Sequence, residues 1–245
     1  MPVTEMWLVR HGESVANAAA TRAEREGLDV IPIELRDADV PLSETGQEQA
    51  EALGTWLDAH RHAIDVYWAS PYVRARQTLA LALGDEASAT TVIVDERLRD
   101  RELGVLDLLT RRGVEHLQPG EGERRRRLGK FYHRPPGGES WADVALRLRS
   151  FLRDATEAAP DSPATSVLVV AHDAVVMLLL YLLLPLEEES LLEFAASHTV
   201  LNASVTHVVR TDAGWDLAEF SSIEHLQREG APVTVHPGNP DVEPE

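Results

Sequence analysis

Arg10-His11-Gly12, Arg74 and His172 are the residues of this chain whose types could act together on a phosphoryl group. The transition state of phosphoryl transfer spreads negative charge over the equatorial oxygens, so catalysis is mostly positioning and electrostatic stabilisation. The guanidiniums of Arg10 and Arg74 offer planar forks of donors that match phosphate oxygens. A neutral imidazole beside them, His11, can attack phosphorus and form a phosphohistidine. His172 could donate to the same oxygens, and a carboxylic acid would protonate the leaving oxygen. Gly12 would let the backbone approach the anion closely, and a helix opening near Ser14 would add N–H groups and a positive dipole end. Each residue alone has a plainer role. Arg-His-Gly can be a turn, His172 a core histidine between apolar segments, and Arg74 a surface helix residue.

The elements that must position them are legible in the apolar pattern. Met6 to Val9 predicts a first strand ending at Arg10, and Ser14 caps a helix to about Glu26. The stretch 28–41, with two prolines and mixed charge, predicts a loop or lid. Ser43 opens a helix to about His60 with Ala50, Leu53, Trp56 and Leu57 on one face. A second strand covers Val66 to Ala69, and Ser70-Pro71 predicts a helix start with serine as cap. Val92 to Val94 is a third strand. Helical pieces around 111–117 and 122–132 precede the breaker Pro135-Pro136-Gly137-Gly138, and a long amphipathic helix follows over 139–159. Val167 to Ala171 is the most apolar strand, expected at the sheet centre, with an apolar helix from Ala174 to about Leu184 behind it. Thr211 to Gly214 joins a terminal hairpin, and 231–245 predicts a flexible acidic tail after a single domain over 1–230. This alternation predicts an α/β sandwich with a mostly parallel sheet, whose ligands bind at the carboxyl ends of the strands. Arg10-His11, Ser70 to Arg74 and His172 all fall at such ends.

Composition narrows the class of partner. The 245 residues carry a formal charge of −18, which disfavours nucleic acid and anionic membranes. The segment 97–134 departs from this, with 11 basic and 6 acidic residues, and suggests a site for a small anion or a solvated helix face. No apolar run is long enough to span a bilayer, and no secretory signal precedes the first strand, so a cytoplasmic location is expected. The absence of cysteine removes thiol nucleophiles, thiolate metal sites and disulfides. The remaining histidines have no metal-ligand spacing with nearby acids, and there is no Gly-rich P-loop.

Val9-Arg10-His11-Gly12-Glu13-Ser14 with Asn17 resembles the signature of the histidine phosphatase superfamily, in the branch that includes cofactor-dependent phosphoglycerate mutases. Pro41 to Gly46, Ser70 to Thr78, Gly138-Glu139-Ser140 and Val170-Ala171-His172 resemble further blocks of that family, in its order, from about residue 6 to residue 210. The resemblance implies a three-layer α/β/α sandwich of the phosphoglycerate mutase type, with a mostly parallel mixed sheet and 97–138 as an insertion covering part of the site. It makes His11 the phosphorylated nucleophile and His172 its catalytic companion, with Arg10, Asn17, Arg74 and Ser14 binding the phosphoryl group. The family's proton donor is a glutamate in a Leu-x-Glu-x-x-x-Gly block. Here Leu98 to Gly104 places Asp100 in that register, with Glu102 as the other candidate. Asp173 stands where many members have glycine, and could tune His172 or serve as an alternative acid.

Within the family, water takes the phosphoryl group in a phosphatase and a second substrate hydroxyl takes it in a mutase. Gly129 to Ser140 resembles phosphoglycerate-mutase-like proteins of plants, fungi and bacteria rather than the mutase insertion, which favours a phosphomonoesterase acting on a small phosphorylated metabolite. A bisphosphoglycerate-dependent phosphoglycerate mutase, and a weakly active phosphate-binding or scaffold protein, are the alternatives. No metal or organic cofactor is expected. The helix after His172 and the hairpin are candidate homodimer surfaces, although burial in the core would explain both equally well.

Overall fold

Apolar side chains on both sides of the first strand require a layer on each face of the sheet. The computed structural model, which describes residues 3–157, 165–184 and 186–236, meets that requirement. In β1 (Val3–Arg10), Met6 and Leu8 enter one core cluster while Trp7 and Val9 enter the other. The chain continues through α1 (Val15–Glu26), α2 (Glu44–His60), β2 (Val66–Ala69), α3 (Val73–Leu83) and β3 (Val92–Val94). Then come α4 (Arg111–Leu117), α5 (Pro119–Tyr132), α6 (Trp141–Glu157), β4 (Thr165–Ala171), α7 (Asp173–Leu183) and α8 (Glu188–Ser197). A hairpin of β5 (Val205–Thr211) and β6 (Gly214–Ser222) and a short α9 (Glu224–Glu229) complete the described elements. Helices α8 and α9 have no counterpart in the sequence reading.

The strand order is β3-β2-β4-β1-β5-β6. Pairings among β1 to β4 are parallel, and β5 and β6 join antiparallel. This is the α/β sandwich with a mostly parallel mixed sheet, and β4 and β1 form its centre. Leu53 and Leu57 of α2 and Ala75 and Leu79 of α3 cover one face. Leu148 and Phe151 of α6, with Val175 and Leu179 of α7, cover the other. Among the described residues no helix is long and apolar enough to cross a membrane.

Two local expectations change. Ser70 does not cap α3. Its hydroxyl lies 2.8 Å from His172 Nε2, and the helix begins later, with Tyr72 as the residue before its first turn. Residues 231–236 do not leave the body as a tail: the Gln49 amide donates to the Pro232 carbonyl and the Thr234 hydroxyl, and His236 is buried. Acidic, Pro-rich composition favours solvation, but here specific hydrogen bonds hold the segment down. Residues 237–245 lie outside the described residues.

Candidate active site

Register places the reactive side chains. Arg10 pairs with Ala171 across the parallel β1–β4 ladder, so His11 and His172 leave the sheet side by side. Their rings lie 5.1 Å apart between centroids, nearly edge to face. Ser14 then caps α1, its hydroxyl accepting from the Asn17 backbone N–H while the Asn17 side-chain Oδ1 accepts from the Ser14 N–H. Asn17 Oδ1 is thus spent on the cap, and its amide nitrogen is the end left to reach an anion.

Gly12 has a different reason from the one expected. A Cβ there would stand 2.5 Å from the Gly46 carbonyl oxygen, and a Cβ on Gly46 would stand 1.9 Å from the Glu13 carbonyl oxygen. The two glycines let the loop after β1 lie directly on the first turn of α2. Ser43, the cap of α2, also donates to the Glu13 carboxylate at 2.7 Å. Close approach is the reason, as expected of glycine, but the partner is backbone.

His11 is buried, and its Nδ1 lies 2.6 Å from the Gly12 carbonyl oxygen. That oxygen can only accept, so the proton sits on Nδ1 and Nε2 carries the lone pair. Arg74 Nε donates to that Nε2 at 3.2 Å. The rest of the Arg74 guanidinium faces two carboxylates, Asp37 at 2.9 Å and Asp100 at 3.2 Å. Burial by itself would lower the Arg74 pKa, but Asp37 and Asp100 outweigh it and raise it. Arg10 donates to the carbonyls of Val200 at 2.5 Å and His236 at 2.9 Å, which leaves its buried Nε without a hydrogen-bond partner.

His172 is fully buried behind the Asp100 carboxylate. Its Nδ1 is 3.3 Å from Asp100 Oδ2, but the angle is not that of a hydrogen bond, and this nitrogen is a buried polar atom without one. Facing a carboxylate, Nδ1 bears the proton and the Ser70 hydroxyl donates to Nε2. Two buried polar atoms thus lack a hydrogen-bond partner, Nε of the cleft residue Arg10 and Nδ1 of His172 one layer behind it, and such atoms call for an explanation.

The shorter aspartate reaches both partners because its backbone is fixed. Arg147 holds the carbonyls of Arg97 and Asp100, and Glu139 receives Arg99, Arg147 and the Glu102 N–H. Gly104, with φ 56°, allows the turn at Gly137-Gly138 to close on it; a Cβ there would meet the Pro136 carbonyl oxygen at 2.2 Å. Glu102 lies further along the wall, accepting from the Tyr72 hydroxyl at 3.2 Å. Asp173 occupies the first turn of α7.

A cleft of about 430 Å³ opens over these groups. Arg10, His11, Ser14, Asn17, Arg74, Asp100, Glu102 and Asp173 line it, while His172 stands one layer behind. The structure adds residues that the sequence reading did not single out. Asp37, in the expected lid, grips Arg74. Asn202 donates to the His11 carbonyl at 3.1 Å. The side chain of His236 bridges Glu13 and Thr21, at 2.7 and 2.6 Å. Their signals were weak, since a lid acid, an asparagine between elements and a histidine in an acidic tail have no fixed spacing from the motif. Among the described residues no group of three or more His, Cys, Asp or Glu side chains is arranged to hold a metal ion.

Burial, followed by the cations around them, holds the pKa of both His11 and His172 well below 6.5. The unfolded chain therefore takes up protons near that pH while the folded chain does not. Stability is full above about pH 6.5 and falls as pH drops below it, by about 1.4 kcal/mol per pH unit for each ring. Urea unfolding should give a clearly lower midpoint at about pH 5.5 than at about pH 7. A midpoint that does not move would mean that the rings are charged in the folded protein.

An imidazole whose Nε2 keeps its lone pair stands among guanidiniums at the carboxyl ends of parallel strands, an arrangement chemically suited to an anion. The family model of the histidine phosphatase superfamily (branch 1) matches residues 6–222, and the chain belongs to that superfamily. It is 34% identical to fructose-2,6-bisphosphatase TIGAR B of Danio rerio over 60% of this chain, and spans 51% of that relative's length. It is 28% identical to the probable phosphoglycerate mutase GpmB of Erwinia tasmaniensis, over 91% of this chain and 95% of the relative. Among solved structures, mycobacterial glucosyl-3-phosphoglycerate phosphatase in complex with VO3 superposes with a TM-score of 0.70 at 26% identity. That match covers 90% of this chain and all (100%) of the other.

Proposed function

We propose that this chain is a phosphomonoesterase that passes a phosphoryl group to His11 Nε2 and then to water. The observation that carries the reading is the His11 tautomer. The Gly12 carbonyl fixes the proton on Nδ1, which leaves Nε2 a lone pair directed at Arg74.

In the first half-reaction Nε2 attacks phosphorus. The P–N bond forms as the P–O ester bond breaks, and Asp100, which takes the proton of the substrate's phosphate monoanion as the phosphoryl group displaces it from Arg74, passes that proton to the leaving oxygen. Arg10, Arg74 and the Nδ1–H of His172 meet the equatorial oxygens, with Ser14 and Asn17 at the α1 terminus as further donors. The phosphoryl group competes with Asp37 and Asp100 for Arg74, so binding turns a carboxylate contact into a phosphate contact. In the second half-reaction the Asp100 carboxylate takes a proton from water. The oxygen attacks phosphorus, the P–N bond breaks and inorganic phosphate leaves. Glu102 and Asp173, in the same wall, are the alternative acids.

Support for hydrolysis over mutation comes from the wording of 129–140 and from the phosphatase names of the Danio and mycobacterial relatives. The mutase reading keeps one observation, the length of the match to the Erwinia protein. A panel of phosphomonoesters separates them. Free phosphate released from the panel, without interconversion of 2- and 3-phosphoglycerate, is the expected result; efficient interconversion would overturn it.

A further inference from the structure

The guanidinium of Arg74 has five N–H donors, and each meets an acceptor. Nη1 donates to the Asp37 carbonyl at 2.6 Å and to Asp37 Oδ1 at 2.9 Å, which spends both of its hydrogens. Nη2 reaches Asp37 Oδ2 at 3.3 Å and Asp100 Oδ2 at 3.2 Å, while Nε reaches His11 Nε2 at 3.2 Å. The planar group therefore shows two edges. Asp37 grips the outer edge, Nη1–Nη2, with both carboxylate oxygens. The inner edge, Nε–Nη2, faces His11 and Asp100. The guanidinium carbon also lies over the Tyr72 ring, 4.8 Å from its centroid. A phosphoryl group on His11 Nε2 would meet the inner edge, displacing Asp100 and leaving Asp37 in place.

The loop that carries Asp37 is tied down at both ends. The Ile31 N–H donates to the Leu108 carbonyl at 2.8 Å, and the Thr110 hydroxyl donates to the Leu28 carbonyl at 2.6 Å. Beyond Asp37, the Leu42 N–H donates at 2.9 Å to Gln77, one turn past Arg74 on α3. Between these anchors Asp37 opens a single 3-10 turn, Asp37–Asp39. Burial raises its pKa, with Arg74 opposing and Asp100 adding, so the charge is kept beside Arg74 at a cost.

We propose that Asp37 is the positioning residue of Arg74. By holding the outer edge it turns the inner edge toward His11 Nε2, and its charge, which stays while phosphate is bound, keeps free phosphate from binding too tightly. This rests on the phosphomonoesterase reading and adds a determinant of turnover to it. The orientation serves phosphoryl transfer, and the charge serves release of the product. Asp37 thus opposes the phosphoryl group through charge rather than by occupying its place.

Two variants separate these effects. Asp37→Asn keeps one oxygen for the outer edge and drops the charge, whereas Asp37→Ala drops both. The side chain is 37% exposed, so neither variant opens the core. In Asp37→Asn the inhibition constant of inorganic phosphate should fall about tenfold, while the single-turnover rate of phosphoryl transfer stays within about threefold of wild type. In Asp37→Ala phosphate should bind about as tightly, but the single-turnover rate should fall about 10²-fold, the scale of a misplaced contact. A merely structural loss would weaken phosphate binding together with turnover. Phosphate affinity unchanged or weaker in both variants, or equal transfer rates in the two, overturns the proposal. If no ester is hydrolysed, it is the phosphomonoesterase reading that fails, and calorimetric binding of inorganic phosphate then decides for Asp37. Tighter binding in Asp37→Asn supports its role, and unchanged or weaker binding overturns it.

Discussion

His11→Ala should lower kcat/KM for phosphate release by ~10⁴-fold or more, the scale lost when a hydrolase loses its covalent nucleophile. The loss falls on chemistry rather than on binding, because Arg10, Arg74 and His172 keep their places without the His11 ring. Arg10 is anchored by the backbone carbonyls of Val200 and His236, Arg74 by Asp37 and Asp100, and His172 by Ser70. Equilibrium binding of a phosphomonoester should therefore change far less than turnover. Alkaline quenching of wild-type turnovers, followed by peptide mass spectrometry, should find the phosphoryl group on His11. A variant that retains activity within tenfold of wild type, or label on another residue, would exclude this nucleophile.

The second large effect is selective. Asp100→Asn should cost about 10²- to 10⁴-fold in kcat/KM with alkyl phosphates, the range for losing a general acid. With 4-nitrophenyl phosphate the cost should be much smaller, since that leaving group needs no proton. Because kcat/KM reports the steps up to phosphoryl transfer, the later role of Asp100 as a base does not enter. Asp100 also neutralises part of the charge on Arg74, so a purely positional role would depress both substrates alike. Equal losses would sink the acid assignment. A larger selective loss in Glu102→Gln would move the acid to Glu102, which the Tyr72 hydroxyl holds further along the wall.

Much of the frame was legible because its causes are local. Ser14 and Ser43 cap their helices as the spacing predicts, since a cap needs only the next few N–H groups. The apolar run of β4 placed it at the sheet centre, where both faces are covered. Ser70 shows the limit. The same Ser-Pro signal that predicts a cap failed because His172, 102 residues away in sequence, takes the hydroxyl. Residues 231–236 failed similarly: composition describes the solvated chain, whereas Gln49 and Glu13 decide what the segment does here. Helices α8 and α9 are short, with few apolar residues to set a period, and their packing on the body defines them.

For the proposed site, the sequence named the candidate reacting groups. Arg10-His11-Gly12, Arg74 and His172 were legible from motif order and from the ends of strands, and Asp100 from its register in the block that resembles the family's. Tertiary structure decided their chemical states. It put the His11 proton on Nδ1, left Arg10 Nε and His172 Nδ1 without partners, set Asp37 against Arg74 and tied Arg10 to a carbonyl 226 residues away. The physical reason is range. Propensity, capping and periodicity act over a few residues, whereas a proton's position, a burial cost and an ion pair depend on whatever the fold brings within a few ångströms.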